Sequence, residues 1–178
     1  SVSFTATDAH GIADPTPDTR VVTVVDPPSV GPTGVVAGVA NVPGALGSDW
    51  HTDLYLHNAT ESVISLDLSF SPAYGTAGTP VGFTVQPDET KALEDVVASV
   101  FGTTGSGAVN WTVVSGDPSG LLVSANTYNR LDADRRYGQQ ISGLRWSGLP
   151  PAGTSLSVPA LAGPYRTNLG FATDQDCT

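Results

Sequence analysis

The chain has 178 residues, 39% hydrophobic and 13% charged, with 17 acidic against 7 basic side chains and a net charge of −10. That length holds one ordinary domain, or one domain and pieces of a second, and it buries enough surface to need neither disulfide nor metal. The acidic excess repels phosphate backbones and anionic lipid, which excludes nucleic acid as an expected partner and argues against membrane binding. No apolar stretch approaches the roughly 18 residues of a spanning helix, so no membrane insertion is expected.

Charged residues fall well below the ~25% of ordinary globular domains. Gly 20 and Pro 14, set among many Thr, Ser and Val, suit short strands and frequent turns. The single cysteine, Cys177, has no partner within the chain, and such scarcity suits an exported bacterial protein.

In chain order, Val2, Phe4 and Ala6 alternate with Ser and Thr, the period of a half-buried strand. A turn rich in Asp, Gly and Pro runs from Asp8 to Asp18, and Val21 to Val25 reads as a second strand. Residues 27–34 hold Pro27, Pro28, Gly31, Pro32 and Gly34 and read as a stiff linker. Val35 to Val42 reads as a strand of small residues, and Trp50 to Asn58 alternates with Trp50, Thr52, Leu54 and Leu56 on its inward face. Ile64, Leu66, Leu68 and Phe70 form the apolar face of the next strand, and Val81, Phe83 and Val85 that of a short one. Gly107 to Val114 and Leu121 to Tyr128 follow, parted by the turn Ser115 to Gly120. One segment departs from period two: Leu93, Val96, Val97, Val100 and Phe101 predict a short amphipathic helix over 93–101, with Gly102 as its stop.

Two segments echo each other. Val42-Pro-Gly-Ala-Leu-Gly-Ser-Asp-Trp50-His-Thr-Asp-Leu-Tyr-Leu56 has a counterpart in Val158-Pro-Ala-Leu-Ala-Gly-Pro-Tyr165-Arg-Thr-Asn-Leu-Gly-Phe171, the aromatics lying 115 positions apart. Such spacing points to tandem modules, with residues 158–178 as the first strand of a second repeat or as an exchanged strand.

Two resemblances bear on setting. The strand Thr5-Ala-Thr-Asp8 followed by Val22-Thr-Val-Val25 resembles the closing hairpin of bacterial Ig-like, cadherin-like and PKD-like repeats. Residues 1–26 then read as the end of such a repeat or as exchanged strands. The run Trp50-His-Thr-Asp-Leu-Tyr-Leu-His-Asn58, the ending Val96-Val-Ala-Ser-Val-Phe-Gly102, Gly105-Ser-Gly-Ala-Val109, Ser124-Ala-Asn-Thr-Tyr-Asn129 and Tyr137-Gly-Gln139 together resemble a repeat module of large secreted bacterial surface proteins. That resemblance implies an extracellular or cell-surface setting and no particular chemistry.

Candidate sites are few, and each has a plain structural reading beside it. His51, Asp53, Tyr55 and His57 share the other face of their strand. His51 and Asp53 lie about 7 Å apart at Cα and His57 about 20 Å from His51, so at most two ligands converge and a solvated face is expected. Asp8, Asp14 and Asp18 in one loop, and Asp132 and Asp134 in another, are calcium candidates, against the plainer reading of turn chemistry. No other cofactor is expected. Tyr55 and Tyr74 are candidate stacking faces for a glycan, while Trp111 alternates with Val109 and Val113 and is expected to point inward with them or to lie next to a bend. Glu94 and Asp95 are placed at the helix start, where they meet its dipole. Asn58-Ala-Thr60 and Asn110-Trp-Thr112 match the N-glycosylation tripeptide and are discounted as chance matches. Gly105-Ser106-Gly107 opens a strand rather than a nucleophile elbow, and no catalytic constellation is visible.

The expectation is an all-β antiparallel sandwich, Ig-like or jelly-roll-like, over residues 35–157, with one short helix. In function it reads as a structural or adhesive module of an exported protein, partnered with its own kind through strand exchange. The alternative is a carbohydrate-binding module of a secreted enzyme. No enzymatic activity is expected of the chain itself.

Overall fold

In the computed structural model, residues 33–130 and 136–150 are described. Nine strands lie among them: β1 (Gly34–Pro43), β2 (Asp49–Asn58), β3 (Ile64–Pro72), β4 (Val81–Val85), β5 (Thr90–Leu93), β6 (Gly105–Ser115), β7 (Leu121–Arg130), β8 (Arg136–Ser142) and β9 (Leu144–Arg145). One helical turn, α1 (Val96–Ser99), follows β5. The fold is all-β and every ladder is antiparallel.

The strands join in the order β4-β3-β6-β1-β2-β7-β8, with β5 added to β2 and β9 to β1, and the sheet does not close. β1 belongs to both ladders. Gly34 to Asn41 pair along β6, Gly34 and Val35 also pair with β9, and the end pairs with β2 through Val42 opposite Trp50 and Pro43 opposite Asp49. Within the β6 ladder a bulge sits at Gly38, where the register slips between Ala37 and Val39 and φ is +105°. Only glycine holds that conformation without strain.

The bulge leaves backbone polar groups that the ladder cannot pair, and two buried hydroxyls take them up. Ala40 N–H donates to Thr52 Oγ1 at 2.8 Å, Thr52 and Thr127 hydroxyls lie 2.9 Å apart, and Thr127 donates to the Gly38 carbonyl at 2.9 Å. With the last donor fixed, the relay runs one way: Thr52 donates to Thr127.

Both ladders feed one apolar core. Val36, Val109, Leu66, Leu68 and Ile64 meet Leu54, Leu56, Ala125 and Leu121 in a single cluster, each buried. The alternations of β3 and β7 place these side chains inward as expected, and Trp111 lies inside with them at 2% exposure. The Trp111 indole rests on Gly34 and Gly143, where any Cβ would collide with its ring.

The helix is shorter than its periodicity predicts. Leu93 belongs to β5, opposite Leu54, and Asp95 turns the chain through left-handed backbone at φ 46°, ψ 54° before one turn begins at Val96. The apolar spacing still serves its purpose: Val96 and Val97 are buried, Val100 and Phe101 pack on the core, and Phe101 stacks on Phe70 with centroids 5.8 Å apart. Gly102, at φ +62°, ends the turn as predicted. The terminal segments 1–26 and 158–178, with the pairings expected of them, lie outside the described residues.

Candidate functional site

Parity places His51 and Asp53 on the outward face of β2 and predicts solvation there. The structure corrects this: His51 is 6% exposed and Asp53 7%. The cover comes from residues distant in sequence. Tyr128, opposite His51 in the β2–β7 register, stacks on the imidazole with centroids 6.1 Å apart. From the connection between β5 and α1, Asp95 reaches back across the same face.

The result is a polar cluster at the start of β2. His51 Nε2 lies 2.9 Å from Asp49 Oδ2, and Nδ1 lies 3.1 Å from Asp95 Oδ2. Asn41, near the end of β1, donates from its amide to both Asp95 carboxylate oxygens at 2.8 and 2.9 Å. Asp53 Oδ1 accepts the Asp95 backbone N–H at 2.9 Å and the Tyr128 hydroxyl at 3.3 Å. Asn129 on β7 accepts the Asp49 N–H at 2.8 Å. Four parts of the chain (the end of β1, the start of β2, the end of β7 and the approach to α1) are thus tied together by hydrogen bonds.

Asp95 holds the cluster and bears its strain. A non-glycine residue in left-handed backbone costs about 1–2 kcal/mol, and here its carboxylate and N–H are both engaged. It occupies the N-cap position of α1, yet its side chain caps nothing there. The predicted partnership with the helix dipole is replaced by one with Asn41 and His51. Burying Asp53 and His51 is tolerable because each finds donors or acceptors at hydrogen-bond distance. The polar atoms point at one another, so the arrangement acts chemically as a clasp between strands. Among the described residues, no group of three or more His, Cys, Asp or Glu is disposed to hold a metal ion.

The remaining candidates are scattered. Tyr55 is half-buried on β2, and Tyr74 stands 95% exposed in the loop between β3 and β4. They share no platform: Tyr55 follows the polar cluster, while Tyr74 sits on a loop whose start is anchored by Ala73 N–H to Ser106 O at 2.8 Å. His57 bonds Thr90 at 2.9 Å and takes no part in the cluster. Asp8, Asp14, Asp18, Asp132 and Asp134 lie outside the described residues. Asn58 is fully buried, its amide donating to Ser62 and Val85 carbonyls while its oxygen accepts from Thr60, so its tripeptide is a turn motif. Gly105 to Gly107 open β6, as the sequence suggests.

Two exposed carboxylates are shifted. Glu89 is held below its ordinary value by the Gln86 backbone N–H and then by Lys91. Asp117 is lowered by the hydroxyl and N–H of Ser119. Both are turn residues at the surface and neither touches the cluster.

Asn41 and Asp95 escape sequence reasoning because their contacts span 54 positions. The signal within reach was Thr52, a hydroxyl at an inward position flanked by Trp50 and Leu54.

No protein family matches the chain, and no curated protein matches it. A solved structure described as "Crystal Structure of Thermotoga maritima 1070" is similar to it with a TM-score of 0.49 and 7% identity, covering 66% of this chain and 96% of that one.

Proposed function

We propose that the chain is a structural or adhesive module of an exported bacterial protein, positioned at the cell surface or outside the cell and joined to modules like itself. The observation that carries this reading is the unclosed sheet with β4 and β8 at its two ends. Among the described residues neither strand has a neighbour on its outer side. β4, Val81-Gly-Phe-Thr-Val85, carries no charge and no proline, and β8 exposes Tyr137, Gly138, Gln139 and Gln140. Native edges are commonly blunted by lysine, proline or a bulge, and edges left plain are sites for strand addition. Head-to-tail pairing of β4 with β8 of a second copy would extend the sheet into an open filament.

Sedimentation of the full chain over a concentration series tests this. Association that rises with concentration and weakens in Thr84→Lys and Gln140→Lys supports the reading. A monomer at every concentration overturns it.

The 95% exposure of Tyr74 favours one second reading, a module that stacks a sugar ring on that side chain. Glycan binding lost in Tyr74→Ala supports it, and a glycan array without hits removes it.

A further inference from the structure

We propose that the polar cluster at the start of β2 is a pH-sensitive clasp, which closes on the doubly protonated ring of His51 and loosens as that ring gives up a proton. His51 Nε2 lies 2.9 Å from Asp49 Oδ2, and Nδ1 lies 3.1 Å from Asp95 Oδ2. An ionised carboxylate only accepts hydrogen bonds, and a neutral imidazole has one donor nitrogen and one acceptor. Carboxylates on both ring nitrogens are therefore satisfied together only by the imidazolium. Asn41 Nδ2 also approaches Nδ1, at 3.5 Å, but it is committed to both Asp95 oxygens at 2.8 and 2.9 Å.

The charges around the ring favour the same form. Asp49 and Asp53 flank it on β2, and Asp95 reaches it from the connection between β5 and α1. β7 brings the Tyr128 phenol and β1 the neutral Asn41. Among the described residues, the one ion pair made by a lysine or arginine is that of Lys91 with Glu89, away from the cluster. A protonated ring thus sets a positive charge among three carboxylates, and a neutral ring sets none. The His51 side chain is 8% exposed, so water cannot replace a lost partner.

The part poised to move is the turn at Asp95. Its left-handed backbone, φ 46° and ψ 54°, is a strained conformation that persists only while its surroundings hold it. Three groups do so: the His51 ring, the Asn41 amide and the Asp53 carboxylate, which accepts the Asp95 N–H. Loss of the Nδ1 proton leaves a lone pair facing the Asp95 carboxylate. Loss of the Nε2 proton leaves the Nδ1 bond without its charge assistance. Either way the hold on the turn weakens. A ring that gains anionic partners on folding contributes stability that is present in mild acid and is lost as pH rises. Histidine changes charge between about pH 5 and about pH 8, above the range in which ordinary carboxylates take up protons.

Thermal unfolding of the full chain and of His51→Gln, from about pH 5 to about pH 8, tests the clasp. Glutamine keeps a donor and an acceptor but takes up no proton. His10 and His57 are common to both proteins, so their titration cancels in the difference. The parent should exceed the variant most at the acid end, and the gap in melting temperature should shrink by more than half at the alkaline end. A gap that stays constant, or widens as pH rises, overturns the proposal. If the glutamine variant does not fold, nuclear magnetic resonance of the parent decides: the Asp95 amide signal should shift together with the His51 ring signals. An Asp95 amide that stays fixed while the ring titrates overturns the proposal as well.

Discussion

From His51 to Leu54, β2 is buried on both faces, whereas from Tyr55 to His57 only Leu56 is buried and its neighbours are half-exposed. The same strand, with the same alternation, meets two environments. In its second half one face is core and the other meets water in part, as a two-sided antiparallel strand ordinarily does. In its first half the second face is roofed by Asp95, Asn41 and Tyr128, and its residues are polar. Burial on the outer face therefore depends on hydrogen bonds rather than on hydrophobic transfer, and losses there should respond to partner geometry more than to side-chain volume.

The inward face is common to both halves and gives the largest effect. Leu54→Ala and Leu56→Ala each remove a fully buried side chain from the same cluster, at about 2–5 kcal/mol. Urea unfolding should place them close together. A Leu54 variant that costs much less than its Leu56 counterpart would break the comparison, since the polar roof would then be carrying that end of the strand.

Next come the two hydroxyls of the bulge. Thr52→Val leaves the Ala40 N–H buried without an acceptor and should cost about 1–3 kcal/mol. Thr127→Val frees the carbonyl of Gly38, an exposed residue that water can reach, but it also leaves the fully buried Thr52 hydroxyl without its acceptor and should cost a comparable amount. A Thr127 variant that costs almost nothing in urea unfolding would mean that the relay does not run in the direction assigned to it.

Asp95 separates backbone from side chain. Asp95→Ala keeps the left-handed strain and loses the carboxylate, while Asp95→Gly loses the carboxylate and relieves the strain. Glycine should therefore be the milder variant by about 1–2 kcal/mol. Thermal unfolding of the pair decides it, and an alanine variant as stable as glycine would show that the turn relaxes.

These residues also mark the limit of what the sequence makes legible. β2, β3, β4, β6 and β7 announce themselves by alternation because one face of each meets the core, and β1 by its run of small residues. β8 does not: Arg-Tyr-Gly-Gln-Gln-Ile-Ser is an edge strand with little apolar burial, so no period appears. β5 is four residues long and its Leu93 joins the helical spacing of Val96, Val97 and Val100, which made strand and turn read as one helix. What divides them is the backbone of Asp95, and that conformation has no signature in residue type. Alternation assigns His51 and Asp53 to the face opposite Thr52 and Leu54, yet their burial depends on a loop some forty residues away. Parity assigns the face, and only tertiary contact says whether it is wet.

The smallest effect lies outside β2, at an exposed turn whose carboxylate is held chiefly by local hydrogen bonds, with a lesser pull from Arg145. Ser119 donates its N–H and its hydroxyl to Asp117, each at 2.8 Å, and the folded carboxyl is held below its ordinary value of 3.8. A lowered carboxyl contributes stability that is present above the unfolded value and is lost as pH falls through the folded one. Asp117→Asn should then be slightly less stable than the parent above about pH 3.8, and the difference should vanish in stronger acid. Urea midpoints from neutral pH down to about pH 2 test this. A gap that persists in strong acid would assign the cost to the shape of the turn instead of to its charge. The exposed carboxylate would then resemble the buried cluster, where geometry sets the loss.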